Sequence, residues 1–346
     1  MYRKLVNTLV VFVLVLSSLV PAATFAATTK TATPETYVAK LGTDKISKEE
    51  YTFFLKEAIS MIQSYYSSDN VDWNGNINNM KASEYAKKLA LDNIVDFKIQ
   101  LSKAKAAKIT LTKKETDEFN ANMNSYLNSL ASTAVDQEKI IKNETGFTLA
   151  QFKSFYNNAT IVRKFATVTQ NNYKCTDTEL KKFYNSNKDK FYKVIVGHIL
   201  FLTIDENNQP TPEKDAEAKK KAEDTLLKIN NPSADFPALV KELSEDTGSK
   251  ETGGKYTVMK NNQYVLEFQN WAVDPSRKVG DTGIVKTSYG YHVMKLMKIY
   301  PFAQLKDDIK SSYITKKYDD DLNAWKKDKK YKLVKNDSVL NAIKVP

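Results

Sequence analysis

The chain has 346 residues, with 52 Lys and Arg against 41 Asp and Glu, which gives a formal net charge of +11. Its length allows roughly two or three domains, and its 42% hydrophobic and 27% charged residues are typical of soluble globular proteins. The single cysteine, Cys175, excludes an intramolecular disulfide and a cysteine-cluster metal site. With His198 and His292 as the whole histidine content, we predict no metal and no other cofactor.

Residues 1–26 have the three parts of a secretory signal peptide. Arg3 and Lys4 supply the positive start, Leu9–Leu16 is wholly apolar, and Ala26 is the small residue before a cleavage site. The apolar run is shorter than the roughly 20 residues of a membrane-spanning helix, and no Cys follows it to carry a lipid. We therefore expect an exported, extracytoplasmic protein that is either secreted or held at the cell surface.

The region from 37 to 190 has the pattern of an all-helical domain with about five or six helices. Capping boxes mark helix starts, because in each a hydroxyl and a Glu or Gln three residues later satisfy one another's backbone N–H groups. They begin at Ser47, Thr112, Thr148 and Thr176. The Asn- and Asp-rich stretch 69–79 is the clearest predicted loop.

The pattern changes at Phe191, where an apolar, β-branched segment predicts a buried strand over Tyr192–Leu202. Helices are predicted next at Ala216–Ile229, Phe236–Leu243 and Val265–Ala272, and strands at Tyr256–Met259, Gly283–Lys286 and Tyr291–Ile299. From Gln304 to about Lys330 the pattern is helical again. The fold class is therefore α+β, with a helical domain at 27–190, an α+β module at 191–301 and a helical segment at 302–346 that packs on the helical domain.

Both histidines lie in predicted strands of the α+β module. One histidine in a strand is ordinarily a core residue whose ring nitrogens are satisfied by neighbours. Two neutral imidazoles that lie side by side can also share a site, since each has one donor and one acceptor nitrogen.

Six segments of the module follow one another in a fixed order. They are Gly197–Leu200, Ala234–Val240, Ser244–Ser249 with Gly253-Gly254 after it, Gln263–Phe268, Val279–Thr287 and Tyr289–Lys295. Together they resemble the motifs of parvulin-type peptidyl-prolyl cis/trans isomerases and cover about 194–299. The whole layout is similar to that of extracytoplasmic foldases of the PrsA type and their SurA relatives.

The resemblance implies a parvulin-like domain with a small antiparallel sheet and a site that uses no cofactor. By position, the catalytic residues would be His198, His292, Asp246 and Thr287. The pocket for the proline ring would be formed by Tyr256, Tyr264 and Phe268, although each of these aromatic side chains also suits a plain core. The implied function is isomerisation of X-Pro bonds in unfolded or newly exported polypeptides, which assists folding of secreted proteins.

Three departures from the family pattern support an alternative function. Lys255-Tyr256-Thr257 stands where the family has Asp-Leu-Gly, Met259 takes the place of a frequent aromatic residue, and Tyr264 replaces a frequent Met. The alternative is a chaperone whose parvulin domain is weakly active or inactive and acts as a peptide-binding module. The loop Thr203–Pro210 has two acidic residues and no basic one, so we expect no preference for phosphorylated substrates.

The Lys-rich stretch Trp325–Lys332 is either a solvated helix end or a site for anionic polymers. For an exported basic protein such anions would be cell-wall polymers or membrane headgroups rather than nucleic acid. A homodimer formed through the helical domain is a further possible assembly that the residue pattern leaves open.

Overall fold

The computed structural model describes residues 37–66, 71–204, 209, 211–261 and 263–345. The predicted signal peptide at residues 1–26 lies outside the described residues. Two compact units make up the chain. Of the described residues, those up to Tyr173 and again from Thr315 onward form the helical unit, and those within Lys174–Ile314 form the α+β unit.

The first part of the helical unit contains two small sheets and five helices among the described residues. Its elements are β1 (Tyr37–Leu41), β2 (Asp44–Ser47), α1 (Lys48–Tyr66), β3 (Asn76–Ile77), β4 (Met80–Lys81), α2 (Ala82–Ala106), α3 (Lys113–Leu130), α4 (Ala134–Thr145) and α5 (Leu149–Asn171). The capping boxes predicted at Ser47, Thr112 and Thr148 are present with both of their hydrogen bonds. The core lies between α1, α2 and α5, where Phe54, Ile94 and Phe152 are buried.

The α+β unit begins with two short helices and continues into the predicted sheet. Its elements are α6 (Asp177–Ser186), α7 (Lys188–Phe191), β5 (Lys193–Leu202), α8 (Pro212–Ile229), α9 (Phe236–Leu243), β6 (Lys255–Met259), α10 (Leu266–Ala272), β7 (Thr282–Lys286) and β8 (Gly290–Ile299). The capping box at Thr176 opens α6 with both bonds. The helix predicted from Ala216 begins instead at Pro212, because Thr211 caps it and proline is well suited to the first helical turn.

The four strands of this unit form one antiparallel sheet in the order β6-β5-β8-β7. One face, which we call the α8 face, packs Ile199, Phe201 and Val293 against α8 and α9. The other, the α10 face, packs Val196 and Met294 against α10. The predicted order of helices and strands and the antiparallel sheet are therefore confirmed.

The C-terminal part contains α11 (Phe302–Lys326), β9 (Leu333–Lys335) and α12 (Asp337–Ala342). Within the helical unit, the Tyr318 hydroxyl of α11 donates to Gln100 Oε1 of α2 at 2.7 Å. Strand β9 pairs antiparallel with β1, which makes a three-stranded sheet in the order β2-β1-β9. No helix among the described residues is both long and apolar enough to cross a bilayer.

Three features of the structure correct the prediction of purely helical flanks. Residues 37–47 form strands rather than helix, and part of the tail forms β9, because these short segments satisfy their backbone groups by pairing with one another across the chain. The predicted loop 69–79 includes strand β3 within its described part. Local periodicity cannot reveal such long-range pairing.

The units also divide at other residues than the predicted domain boundaries of 190/191 and 301/302. Leu180 and Phe191 form an apolar cluster with Leu305 and Ile309 inside the α+β unit. As a result α6, α7 and the start of α11 belong to that unit, and the division falls within α11.

Candidate active site

The two histidines lie on the central strands of the four-stranded sheet. His198 is on β5 opposite Met294, and His292 is on β8 opposite Leu200. Because side chains alternate between faces along a strand, this register directs both histidines to the α10 face. They are 2% and 5% exposed, so both imidazoles are effectively removed from solvent.

A continuous chain of hydrogen bonds joins four of the predicted site residues. Thr287 Oγ1 lies 2.9 Å from His292 Nε2, and the two histidine Nδ1 atoms lie 3.0 Å apart. At the other end His198 Nε2 lies 2.9 Å from Asp246 Oδ2. The two imidazoles are stacked, with ring centroids 5.2 Å apart and planes inclined by 25°.

The partners at the ends of this chain fix its tautomers. The ionised carboxylate of Asp246 can only accept, so His198 Nε2 carries the proton and donates to it. His198 Nδ1 then accepts from His292 Nδ1–H, and His292 Nε2 accepts from the Thr287 hydroxyl. Every ring nitrogen is thus satisfied with both imidazoles neutral, and the Thr287 oxygen accepts from the Tyr289 backbone N–H at 3.1 Å.

Burial holds the histidines in this neutral state. Burial lowers the pKa of His198 below its ordinary value, although the Asp246 carboxylate partly offsets the effect. Burial, and secondarily the neighbouring His198, lowers the pKa of His292 to about 4. Around neutral pH the site therefore holds uncharged rings beside one carboxylate.

Asp246 lies in the loop after α9 and is held by several donors. Its Oδ1 accepts from the Gly248 N–H at 3.0 Å, and its Oδ2 accepts from the hydroxyls of Ser249 and, at 3.1 Å, Tyr256. Burial acts to raise its pKa, but hydrogen bonds from Ser249, Gly248 and His198 outweigh it and hold the pKa below the ordinary value. The carboxylate is therefore ionised and fixed in orientation.

The second of the paired glycines allows the chain to pass beside the first histidine. Gly254 has a φ of +67°, and its carbonyl accepts from the His198 N–H at 2.9 Å. A Cβ atom at this position would lie 2.3 Å from the His198 carbonyl oxygen. Both the left-handed backbone and the close approach require glycine.

Three aromatic rings adjoin the histidines and each other. The buried Phe268 ring lies 5.4 Å from His198 and 5.3 Å from His292, close to perpendicular to the first. Tyr256 lies 5.3 Å from His198, and Tyr264 lies 5.5 Å from Tyr256. Because both tyrosines are half-buried, the cluster presents apolar ring surface at the edge of the site.

All seven predicted site residues thus lie together on the α10 face, and sequence reasoning missed one further residue, which is polar. Ser249 is 1% exposed, donates to Asp246 and lies 3.2 Å from His198 Nε2. It closes the Ser244–Ser249 loop motif, and that motif was the available signal. No group of three or more His, Cys, Asp or Glu side chains in the described part of the chain could hold a metal ion.

Comparison with known proteins places this chain in a family. Residues 178–300 match the model of the PPIC-type PPIase domain. The foldase protein PrsA of Clostridium acetobutylicum is 30% identical over 302 residues, which cover 82% of this chain and 83% of that protein. The PrsA of Caldanaerobacter subterraneus subsp. tengcongensis is 29% identical over 300 residues, covering 84% and 85%.

Among solved structures, the peptidylprolyl isomerase PrsA from Bacillus cereus matches 80% of this chain and 95% of its own length, at 22% identity and a TM-score of 0.30. The sequence similarity to the Clostridium acetobutylicum protein is what shows the family. The chain belongs to the PrsA foldase family, and it is a foldase whose α+β unit carries a parvulin-type peptidyl-prolyl cis/trans isomerase domain.

Proposed function

We propose that His198, His292, Asp246 and Thr287 form the catalytic centre that isomerises X-Pro bonds, and that Tyr256, Tyr264 and Phe268 hold the proline ring. The observation that carries this proposal is the unbroken hydrogen-bonded chain from Thr287 to Asp246 directly beside three aromatic rings. Aromatic faces suit the flat, apolar pyrrolidine ring of proline.

The chemistry needs a shaped and rigid surface rather than a nucleophile. Rotation about the peptide bond has a barrier of about 18–20 kcal/mol, because the planar amide is stabilised by resonance. The twisted amide has lost that resonance and is less polar, so a dry aromatic pocket favours it over either planar form. The neutral histidine pair supports the pocket floor, since burial disfavours a charged ring there.

We propose that the clients are exported polypeptides that have not yet folded. The signal peptide predicted at residues 1–26 supports this, because it would export the protein to the place where such polypeptides fold. The helical unit would hold such chains while the site acts on their prolines. A cavity of about 520 Å³ between α3 and α5 supports this role, since Phe119, Met123 and Val168 give it apolar walls.

Val168 offers a test of the holding role, because it is 37% exposed on the cavity wall and a charge there does not enter the core. Val168→Glu should abolish suppression of aggregation of a denatured client and leave isomerisation unchanged. Val135→Glu, at a valine 78% exposed on α4, is the matched control. Equal suppression by both variants would contradict the assignment to this cavity.

One observation supports the alternative of a peptide-binding module. The hydroxyl of Tyr256, which belongs to the departure Lys255-Tyr256-Thr257, donates to Asp246 and so uses acceptor capacity of the catalytic carboxylate. Cis/trans exchange of a short X-Pro peptide, measured by NMR with the full chain, separates the two. Acceleration supports the enzyme, and peptide binding without acceleration supports the module.

Two partner predictions from the sequence extend this function. Anionic cell-wall polymers would bind to the lysine-rich tail, and a homodimer would form through the helical unit. Sedimentation velocity over a range of protein concentrations tests the second: a concentration-dependent shift to twice the monomer mass supports it, and an unchanged monomer contradicts it.

A further inference from the structure

The lysines near the end of α2 and those of the tail lie in neighbouring segments of the helical unit. Lys103 lies over the Trp325 ring, with its ammonium 5.3 Å from the centroid. The Lys330 ammonium lies 3.3 Å from Ser102 Oγ, and the Tyr331 hydroxyl lies 3.0 Å from the same oxygen. These contacts join the C-terminal end of α2 to the turn that follows α11.

We call the resulting surface the basic patch. Its members are Lys103, Lys105, Lys108, Lys327, Lys329, Lys330, Lys332 and Lys335. All except the half-buried Lys103 are exposed. Among the described residues, none of the eight lies within 4.0 Å of a carboxylate oxygen.

The acidic groups close to the basic patch are already committed to other contacts. Asp328 accepts from the Lys330 backbone N–H at 2.9 Å and so caps the turn Lys329–Tyr331. Asp96 is largely buried and pairs with Lys326, which is not part of the patch. These two carboxylates therefore offset little of the positive charge of the eight lysines.

A lysine-rich surface elsewhere on the chain behaves differently. On α8, Lys219, Lys220 and Lys221 pair with Glu223, Asp224 and Glu217 at 4.0, 2.9 and 2.7 Å. There the lysines serve as a solvated helix face with alternating charge. The basic patch lacks that compensation, and concentrated unpaired charge of one sign attracts a partner of the opposite sign.

We propose that the basic patch binds a linear phosphodiester polymer with one negative charge per repeat. The patch contains lysine and no arginine, and ammonium groups bind phosphates as point charges without a fixed bidentate geometry. That mode suits a flexible chain with no defined shape. Binding would tether the foldase through its helical unit, whereas the proposed site lies in the α+β unit, so this inference goes beyond the isomerase function.

The neighbouring side chains disfavour other polyanions. Single-stranded nucleic acid needs exposed aromatic faces for base stacking, but Tyr331 is buried and Trp325 packs against Phe165 and Tyr318. Insertion into a membrane surface needs an apolar face, and among the described residues of the tail the exposed large apolar side chain is that of Val334, at 52%. Attraction of the lysines to anionic headgroups by charge alone is tested below against vesicles.

The test uses the full chain and poly(glycerol phosphate) immobilised on a sensor surface. The triple variant Lys329→Gln/Lys330→Gln/Lys332→Gln should lose at least about tenfold in affinity, and its slope of log affinity against log salt should become shallower by about 2. The control Lys219→Gln/Lys220→Gln/Lys221→Gln removes the same charge from α8 and should lose less than about threefold.

A variant with arginine at 329, 330 and 332 should bind like the parent, which separates loss of charge from loss of fold. Equal losses in both glutamine variants would overturn the proposal, because net charge alone would then explain binding. Tighter binding of the parent to vesicles of phosphatidylglycerol or to single-stranded DNA would also overturn it. Isomerisation should be unchanged in every variant, so failure here is distinguishable from failure of the proposed catalytic site.

Discussion

The two faces of the four-stranded sheet are formed by the same strands but differ in chemistry, since one is an apolar core and the other carries buried polar side chains. On the α8 face, neighbouring strand residues such as Ile199 and Val293 pack with Ala222 and Val240 in a core built from apolar side chains. On the α10 face, the positions one residue away carry His198 and His292. Burying polar groups costs free energy unless each is hydrogen-bonded, so a fold alone has no reason to place them there.

On the α10 face, a complete network of hydrogen bonds offsets the free-energy cost of burying these polar groups. Each ring nitrogen, the carboxylate of Asp246 and the buried hydroxyls of Thr287 and Ser249 have partners. The comparison predicts that stability of the domain can be changed without changing activity of the site. Changes on the α8 face should lower stability alone, whereas changes in the network of the α10 face should lower activity and, where a buried group loses its partner, stability as well.

The largest expected effect comes from His198→Ala, because His198 is bonded to both His292 and Asp246. The change leaves the buried Nδ1 of His292 without its partner, at about 1–3 kcal/mol, and removes one of the donors that hold Asp246. We expect loss of measurable isomerisation together with a lower free energy of unfolding of the α+β unit. Denaturant unfolding followed by NMR amide signals of β5, with exchange of an X-Pro peptide in native buffer, measures both.

Asp246→Asn separates the role of the charge from that of the hydrogen bond, because it removes the charge while keeping an acceptor for His198. We expect about a tenfold loss of kcat/KM, equivalent to about 1.4 kcal/mol, with unfolding changed by less than about 1 kcal/mol. Glu245→Gln is the matched control, since that neighbouring carboxylate accepts from the Leu202 N–H and lies outside the network. Equal activity of the two variants would contradict a role for the Asp246 charge.

The pH dependence of stability should report the buried imidazoles. An unfolded histidine takes up a proton near pH 6.5, whereas burial delays uptake by folded His292 to a pKa of about 4. Stability is therefore lost as the pH falls from 6.5 toward 4, by about 1.4 kcal/mol per pH unit for His292. The lowered pKa of His198 acts in the same direction. His292→Gln should make this slope shallower, and Ile199→Val should not; identical slopes would refute the account.

The smallest effect is expected at the hydroxyl of Tyr264. Tyr264→Phe removes the bond from that hydroxyl to the Thr257 carbonyl at 3.0 Å but retains the ring that faces Phe268. We expect isomerisation within about twofold of the parent and a loss of about 0.5–1.5 kcal/mol in stability. Tyr264→Ala should lower kcat/KM much more, and equal activity of the two variants would mean that the ring does not hold proline.

The α+β unit could be predicted from the sequence largely because its signals are local. Helix Phe236–Leu243 and the strands around His198 and His292 follow from apolar runs and caps that lie within a few residues. The shared site of the two histidines depends on the β5–β8 register, which the ordered motifs implied and periodicity could not establish.

The missed features depend on contacts between distant parts of the chain. The pairing of Leu41 with Leu333 joins residues at opposite ends of the chain, so neither short segment has a local signal strong enough to identify it as a strand. Ser249 belongs to the recognised Ser244–Ser249 motif, but its burial and its contact with His198 arise only when the loop folds over that histidine.

The most direct test of separable faces compares His292→Ala with Ile199→Ala in one experiment. Ile199→Ala should lower the free energy of unfolding by about 2–5 kcal/mol, while the folded fraction keeps the isomerisation rate of the parent. His292→Ala should cost less stability, about 1–3 kcal/mol, yet reduce the rate per folded molecule at least about tenfold. An unchanged rate in well-folded His292→Ala, or an equal loss of rate in Ile199→Ala, would contradict the assignment of catalysis to the α10 face.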